Sequence, residues 1–146
     1  KFKLPMNQPA AQNPDGHFGA LQPITSLGEA APAPCPRCSG LMELAELESK
    51  LVILCTDCRG VLISSMVLGE IIAQLRRQYR GKDIIPPPLD EDALSKRIDC
   101  PNCGRKMDVH PYHGPSNVVI DSCSKCWLTF LDDGELSTIQ LAPGER

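Results

Sequence analysis

The sequence predicts a small, metal-stabilised β + α fold made of two tandem ribbons behind an extended N-terminal arm. Three observations predict it. All eight cysteines fall in four Cys-x-x-Cys pairs. The pairs occur as two similar units, each with a hairpin-like stretch between its cysteines. The 146 residues hold one Trp, two Tyr and three Phe, too few large side chains for one continuous large core. A small domain short of core needs a staple, and paired cysteines can supply one.

The first unit has Cys35-Pro36-Arg37-Cys38, sixteen residues, then Cys55-Thr56-Asp57-Cys58. The second has Cys100-Pro101-Asn102-Cys103, nineteen residues, then Cys123-Ser124-Lys125-Cys126. Thiolates at this separation share one tight turn, and four of them close a tetrahedral shell. A closed shell leaves no position for water or substrate, which points to two structural zinc ions held by Cys35, Cys38, Cys55, Cys58 and by Cys100, Cys103, Cys123, Cys126. Tetrahedral sulfur also suits iron, the minor alternative. A redox dithiol needs one pair opening a helix in a βαβ unit, and that context is absent. A secreted disulfide framework scatters its cysteines more widely, so the expected location is cytoplasmic or on the cytoplasmic face of a membrane complex.

Residues 1–34 form the arm, with six prolines and no cysteine. The apolar residues Phe2, Leu4, Met6, Phe18, Leu21 and Ile24 suit it to dock on a partner. Residues 35–80 form the first ribbon and its helix. Leu41–Leu47 and Lys50–Leu54 flank Glu48-Ser49 as strands around a turn. Val61–Ile63 makes a third strand. Ser64 then caps a helix over Ser65–Arg80 whose apolar face holds Met66, Val67, Ile71 and Leu75. Gly81 supplies a left-handed cap, and residues 81–99 form a proline-rich linker. Residues 100–146 repeat the plan. Strands around 105–112 and 117–122 flank Gly114-Pro115-Ser116, and a third spans Trp127–Leu131. A capping box from Asp132 to Glu135 opens a short helix.

Charge does not favour a generic nucleic-acid binder. The formal net charge is −3, and eight thiolates holding two divalent ions take it to −7. A generic nucleic-acid binder relies on excess Lys and Arg instead. Arg76, Arg77, Arg80 and Lys82 form the single basic cluster, read first as solvated cations at a helix C-terminus. His110 and His113 are read as ordinary loop residues because the cysteine shell is already complete, and His17 lies in the arm with no paired acid or nucleophile. Trp127 and Phe130 are read as a miniature core beside the metal. No phosphate loop, nucleophile–base pattern or open metal site occurs, so no enzyme activity and no catalytic residue is expected. No run of eighteen apolar residues occurs, so no segment spans a membrane as a helix.

The second unit resembles the transcription factor IIB-like zinc-ribbon family found in many bacterial proteins. That pattern runs Cys-Pro-x-Cys, a hairpin, Cys-x-x-Cys, Gly-Gly-Val-Trp-Leu-Asp and Gly-Glu-Leu. Cys100, Pro101, Cys103, Cys123, Cys126, Leu131, Asp132, Gly134, Glu135 and Leu136 match it. Trp127 and Leu128 replace the two glycines, and Phe130 takes the Trp position. In the first unit the cysteines and Gly60-Val61 match, Leu62 replaces Trp, Ser64 replaces Asp, and the Gly-Glu pair is lost at Met66-Val67. The resemblance covers about half the chain and implies two zinc ribbons. The expected function is a non-enzymatic adaptor or accessory subunit, docked on a larger protein complex through the arm and ribbon surfaces. A nucleic-acid-binding or transcription-associated ribbon is the alternative.

Overall fold

The computed structural model describes residues 24–112 and 116–144. Most of the arm, with His17, lies outside the described residues, as do His113, Gly114 and Pro115. In chain order come β1 (Thr25–Ala30), β2 (Met42–Leu47), β3 (Lys50–Cys55), β4 (Val61–Ser64) and α1 (Ser65–Gln78). A 3-10 turn at Ala93–Ser95 follows, then β5 (Asp108–Pro111), β6 (Val119–Cys123), β7 (Leu128–Leu131) and α2 (Glu135–Leu141).

The strands join into one antiparallel sheet of order β1-β2-β3-β4-β7-β6-β5. The two tandem ribbons expected from the sequence are thus halves of one seven-stranded sheet rather than clear hairpin ribbons, a correction to the expected architecture. The third strands of the two units pair with each other, from Val61 opposite Leu131 to Ser64 opposite Leu128. Each is short, apolar and open on one edge, so pairing satisfies two rows of backbone groups and covers the apolar side chains together. Residues 25–30, read as part of an extended arm, form β1 on the edge of β2. Ile24 packs against the core of its own chain.

Strand alternation sends successive side chains to opposite faces. Val52, Leu54, Val61, Ile63, Ile120 and Leu131 face both helices in a core shared by the two units, a second correction to the expected absence of a continuous core. Met42, Cys55, Leu62, Cys123 and Phe130 face the other side, where seven of the eight cysteines pack and exposed Cys38 lies at the margin. Both faces of β4 are therefore covered, which is why it reads as unbroken apolar residues rather than alternating.

The β2–β3 hairpin turns at Glu48 and Ser49, with φ of 52° and 64°. Two left-handed central residues match the right-handed twist of the flanking strands. Ser64 Oγ accepts from the Met66 N–H and caps α1. The buried stripe of α1 is Leu68, Ile71, Ile72 and Leu75, spaced i, i+3, i+4, i+7; Met66, expected in it, is 76% exposed. The helix ends with Tyr79 as cap, and Gly81 is not left-handed. The Tyr79 ring lies over Gly81 and its hydroxyl donates to the Lys82 carbonyl, so the glycine leaves room for a ring. No described helix is long and apolar enough to cross a membrane.

Candidate metal centres

Four knuckle turns carry the cysteines, and all have the same backbone plan. The N–H four residues after the first cysteine of each pair donates to that cysteine's carbonyl: Ser39 to Cys35, Arg59 to Cys55, Gly104 to Cys100 and Trp127 to Cys123. These donors have φ of 66°, 67°, 80° and 56°. The left-handed residue turns the chain back so that both sulfurs of a pair point to one side. Glycine adopts this conformation freely, and here it does so in one turn of the four.

The hairpins then bring pairs together. Cys35, Cys38, Cys55 and Cys58 place their Sγ atoms within 4.8 Å of one another, and so do Cys100, Cys103, Cys123 and Cys126. Sγ–Sγ separations are 3.7 Å for Cys35–Cys58, 3.5 Å for Cys38–Cys55 and 3.7 Å for Cys103–Cys123. A disulfide needs about 2.05 Å. A tetrahedron with zinc–sulfur bonds of about 2.3 Å has edges of about 3.8 Å. The residues thus fit a divalent ion with four thiolate ligands.

The two centres are alike in burial. The first and third cysteines of each are buried, and the second and fourth reach the surface or its margin. Peptide groups aim at the sulfurs: Arg37 N–H at Cys35, Asp57 and Cys58 N–H at Cys55, Gly60 N–H at Cys58, and Cys126 N–H at Cys123. Asn102 Nδ2 donates to Cys126 Sγ at 3.2 Å.

Such donors favour thiolate. Burial works against ionisation of Cys55, yet the Cys58 and Asp57 N–H groups hold its thiol down at about 7. The Cys126 N–H does the same for the equivalent Cys123, also about 7. Burial pushes Cys58 up to about 12 and Cys100 up to about 11, with neighbouring sulfurs adding to the rise. Each centre therefore holds one readily ionised thiol and at least one whose proton burial retains, so that metal uptake releases protons.

Between the centres lies a side chain that sequence reasoning left without a role. Arg37, inside the first pair, reaches the second unit. Its Nη2 lies 2.7 Å from Asp121 Oδ2 and 3.2 Å from Asp132 Oδ2, and its Nε lies 2.9 Å from Asp132 Oδ1. Its guanidinium carbon sits 5.6 Å from the Phe130 ring centroid. The expected capping box is correspondingly half-formed. Glu135 accepts from the Asp132 N–H at 2.8 Å, but the Asp132 carboxylate takes Arg37 rather than capping α2. Left-handed Gly134, with φ of 90°, is the N-cap residue instead. Burial first, then the Asp132 and Asp121 charges, push Glu135 up to about 8, and burial also raises Asp121.

Of the two aromatic residues expected in a miniature core beside the metal, one is found there, and other expectations are corrected. Phe130 is fully buried beside both centres, packed so closely on Gly60 that a Cβ there would enter its ring, whereas Trp127 is 60% exposed. His110 lies on β5, not in a loop, and hydrogen-bonds Ser122 Oγ; it belongs to neither cysteine group. Arg76 is not a solvated cation. It is buried and donates to the Ile139 and Ala142 carbonyls at the end of α2.

The arrangement can hold two metal ions in closed sulfur shells and fix the surfaces around them. No protein-family model, no curated protein and no solved structure matches the chain.

Proposed function

We propose that the chain is a non-enzymatic tandem zinc-ribbon adaptor or accessory subunit of the transcription factor IIB-like type, docking onto a larger protein assembly. One observation carries the reading: each centre has four cysteine sulfurs within 4.8 Å of one another, a shell that closes around an ion and leaves nothing open for substrate. Exposed apolar side chains around the centres support docking. Trp127 is 60% exposed and Leu41 76% exposed, and Trp is the residue type most enriched at interface hot spots. A groove of about 280 Å³ beside them is lined by Ala31, Pro32, Met42, Leu62, Pro101 and Leu128. The burial of Arg76 weakens the nucleic-acid reading, because it removes one cation from the basic cluster.

The test is affinity purification of the chain from its native cells with nuclease treatment and metal analysis of the eluate. The expected result is a nuclease-resistant protein complex carrying about two zinc ions per chain, with capture reduced for Trp127→Ser. Nuclease-sensitive recovery that salt abolishes overturns the adaptor reading in favour of nucleic-acid binding.

A further inference from the structure

We infer that the two metal centres are energetically coupled, and that Arg37 is a positioning residue carrying a separable share of that coupling; the inference rests on the metal-binding reading above.

Arg37 belongs to both centres at once. Its backbone is part of the first, since it lies between Cys35 and Cys38 and its N–H donates to Cys35 Sγ at 3.3 Å. Its guanidinium belongs to the frame of the second. Asp121 stands two residues before Cys123 on β6, and Asp132 follows directly on β7. The three charged groups form a fork, with contacts of 2.7 and 2.9 Å to the two carboxylates.

The fork matters most to Asp121. Its side chain is 4% exposed, and its Oδ1 has no hydrogen-bond partner among the described residues. Removing Arg37 would leave a buried carboxylate with neither oxygen answered by a described residue, a costly state for β6 to keep. An ion in the first centre pins the Cys35–Cys38 turn and so holds the Arg37 backbone where its side chain can reach. Without that ion, the turn keeps the Ser39 N–H to Cys35 carbonyl hydrogen bond but loses its metal–sulfur bonds, and the fork must supply more of the ordering. Filling the first centre therefore favours the β6–β7 geometry in which Cys123 and Cys126 converge. Linkage requires the reverse effect to be equally large. The β4–β7 pairing and the Gly60–Phe130 contact offer a second route between the units, so the share carried by Arg37 must be isolated.

Cobalt(II) alone is the probe, because its thiolate-to-metal absorption reports a sulfur tetrahedron directly and chelator competition gives the affinity. The first centre is disabled by Cys38→Ser with Cys58→Ser, the two of its cysteines not fully buried. The second-centre affinity is then compared with the intact chain. It is expected to fall by a factor within the roughly 5–150-fold range of ordinary site–site coupling. In an Arg37→Met background, the same disabling should cost several-fold less. Disabling the second centre through Cys103→Ser with Cys126→Ser should weaken the first by the same factor. Asp132→Asn repeats the test if Arg37→Met does not fold, since it keeps the side-chain volume while removing the charge and one of the two oxygens that accept from Arg37. Equal second-centre affinity with the first centre intact or disabled overturns the coupling. A coupling factor unchanged by both the Arg37 and Asp132 variants overturns the role of Arg37. An intact chain with no tetrathiolate absorption overturns the metal reading itself, a result distinct from either.

Discussion

Arg76 on α1 and Gln140 on α2 cap each other's helices. Arg76 Nη1 donates to the Ile139 carbonyl at 2.7 Å and the Ala142 carbonyl at 2.9 Å, while Gln140 Nε2 donates to the Leu75 carbonyl at 2.7 Å. The exchange ties the helix of the first unit to that of the second on the face opposite the cysteines. Each donor answers carbonyls that a helix end leaves unpaired.

Replacing Arg76 should therefore destabilise the whole described fold rather than alter a surface. Arg76→Met keeps much of the apolar stem and takes the guanidinium donor away from two buried carbonyls, and the expected loss is about 2–4 kcal/mol. Arg77→Ala, one residue along and exposed, should change stability by less than about 0.5 kcal/mol. Urea denaturation of the metal-loaded protein measures both. Equal effects from the two variants would show that Arg76 is as solvated as its neighbour.

Metal removal should act on the second unit as unfolding. Cys100 and Cys123 are buried at 2% and 4% exposure, and structural zinc sites contribute roughly 10–16 kcal/mol of apparent binding energy. Cys100→Ser or Cys123→Ser should abolish one of two bound ions and collapse amide protection over β5, β6 and β7. Chelation of the wild-type chain should do the same to both units. Retention of both metals and of protection in Cys100→Ser would contradict a tetrathiolate centre.

The parts of this fold legible in sequence are those set by near neighbours. Cys-x-x-Cys spacing marks all four knuckles, and the runs around Glu48-Ser49 mark one hairpin to within a residue of its observed ends. Distant relationships left no local trace. Arg37 and Asp132 are separated by 95 positions, and nothing in Pro36-Arg37 marks the arginine as a bridge. β4 and β7 look like the third strands of separate ribbons, because an open strand edge does not name its partner. Arg76 resembles a solvated helix-end cation because it is one of three arginines within five residues. Its burial is decided by α2, which folds against it from sixty residues away.

Glu135 sets an expected pH dependence. Its carboxyl is pushed from the ordinary 4.5 up to about 8, by burial first and then by the Asp132 and Asp121 charges. Between those values the folded chain holds a proton that the unfolded chain has released. Stability from this group is therefore complete below about pH 4.5 and falls as pH rises through 8. Thiolate ligation has the opposite slope, since protonating cysteine releases metal. The two are separated by subtracting the stability of Glu135→Gln, which keeps an acceptor for the Asp132 N–H and cannot ionise. The wild-type advantage over this variant should shrink by on the order of a few kcal/mol between pH 6 and 8.5. A difference that stays flat over that interval would place the Glu135 proton elsewhere.

Trp127 should reveal a conflict between stability and docking. It sits at φ 56° directly after Cys126, a backbone conformation that β-carbon sterics disfavour and that costs on the order of 1–3 kcal/mol for a bulky residue. Truncation alone would mix this strain with lost side-chain contacts, so the informative comparison is between two truncations. Trp127→Gly and Trp127→Ala lose the same contacts beyond Cβ, yet only glycine relaxes the left-handed turn. Glycine should therefore be the more stable of the pair by about 1 kcal/mol, measured by urea denaturation of the zinc-loaded proteins. At Ser124, exposed in the same turn and not left-handed, the order should reverse, because glycine there only adds freedom to the unfolded chain. Both Trp127 variants should lose the captured partner alike, since neither carries the indole. If alanine proves as stable as glycine at position 127, the turn stores no strain, and exposure alone would have to explain the indole beside the second metal centre.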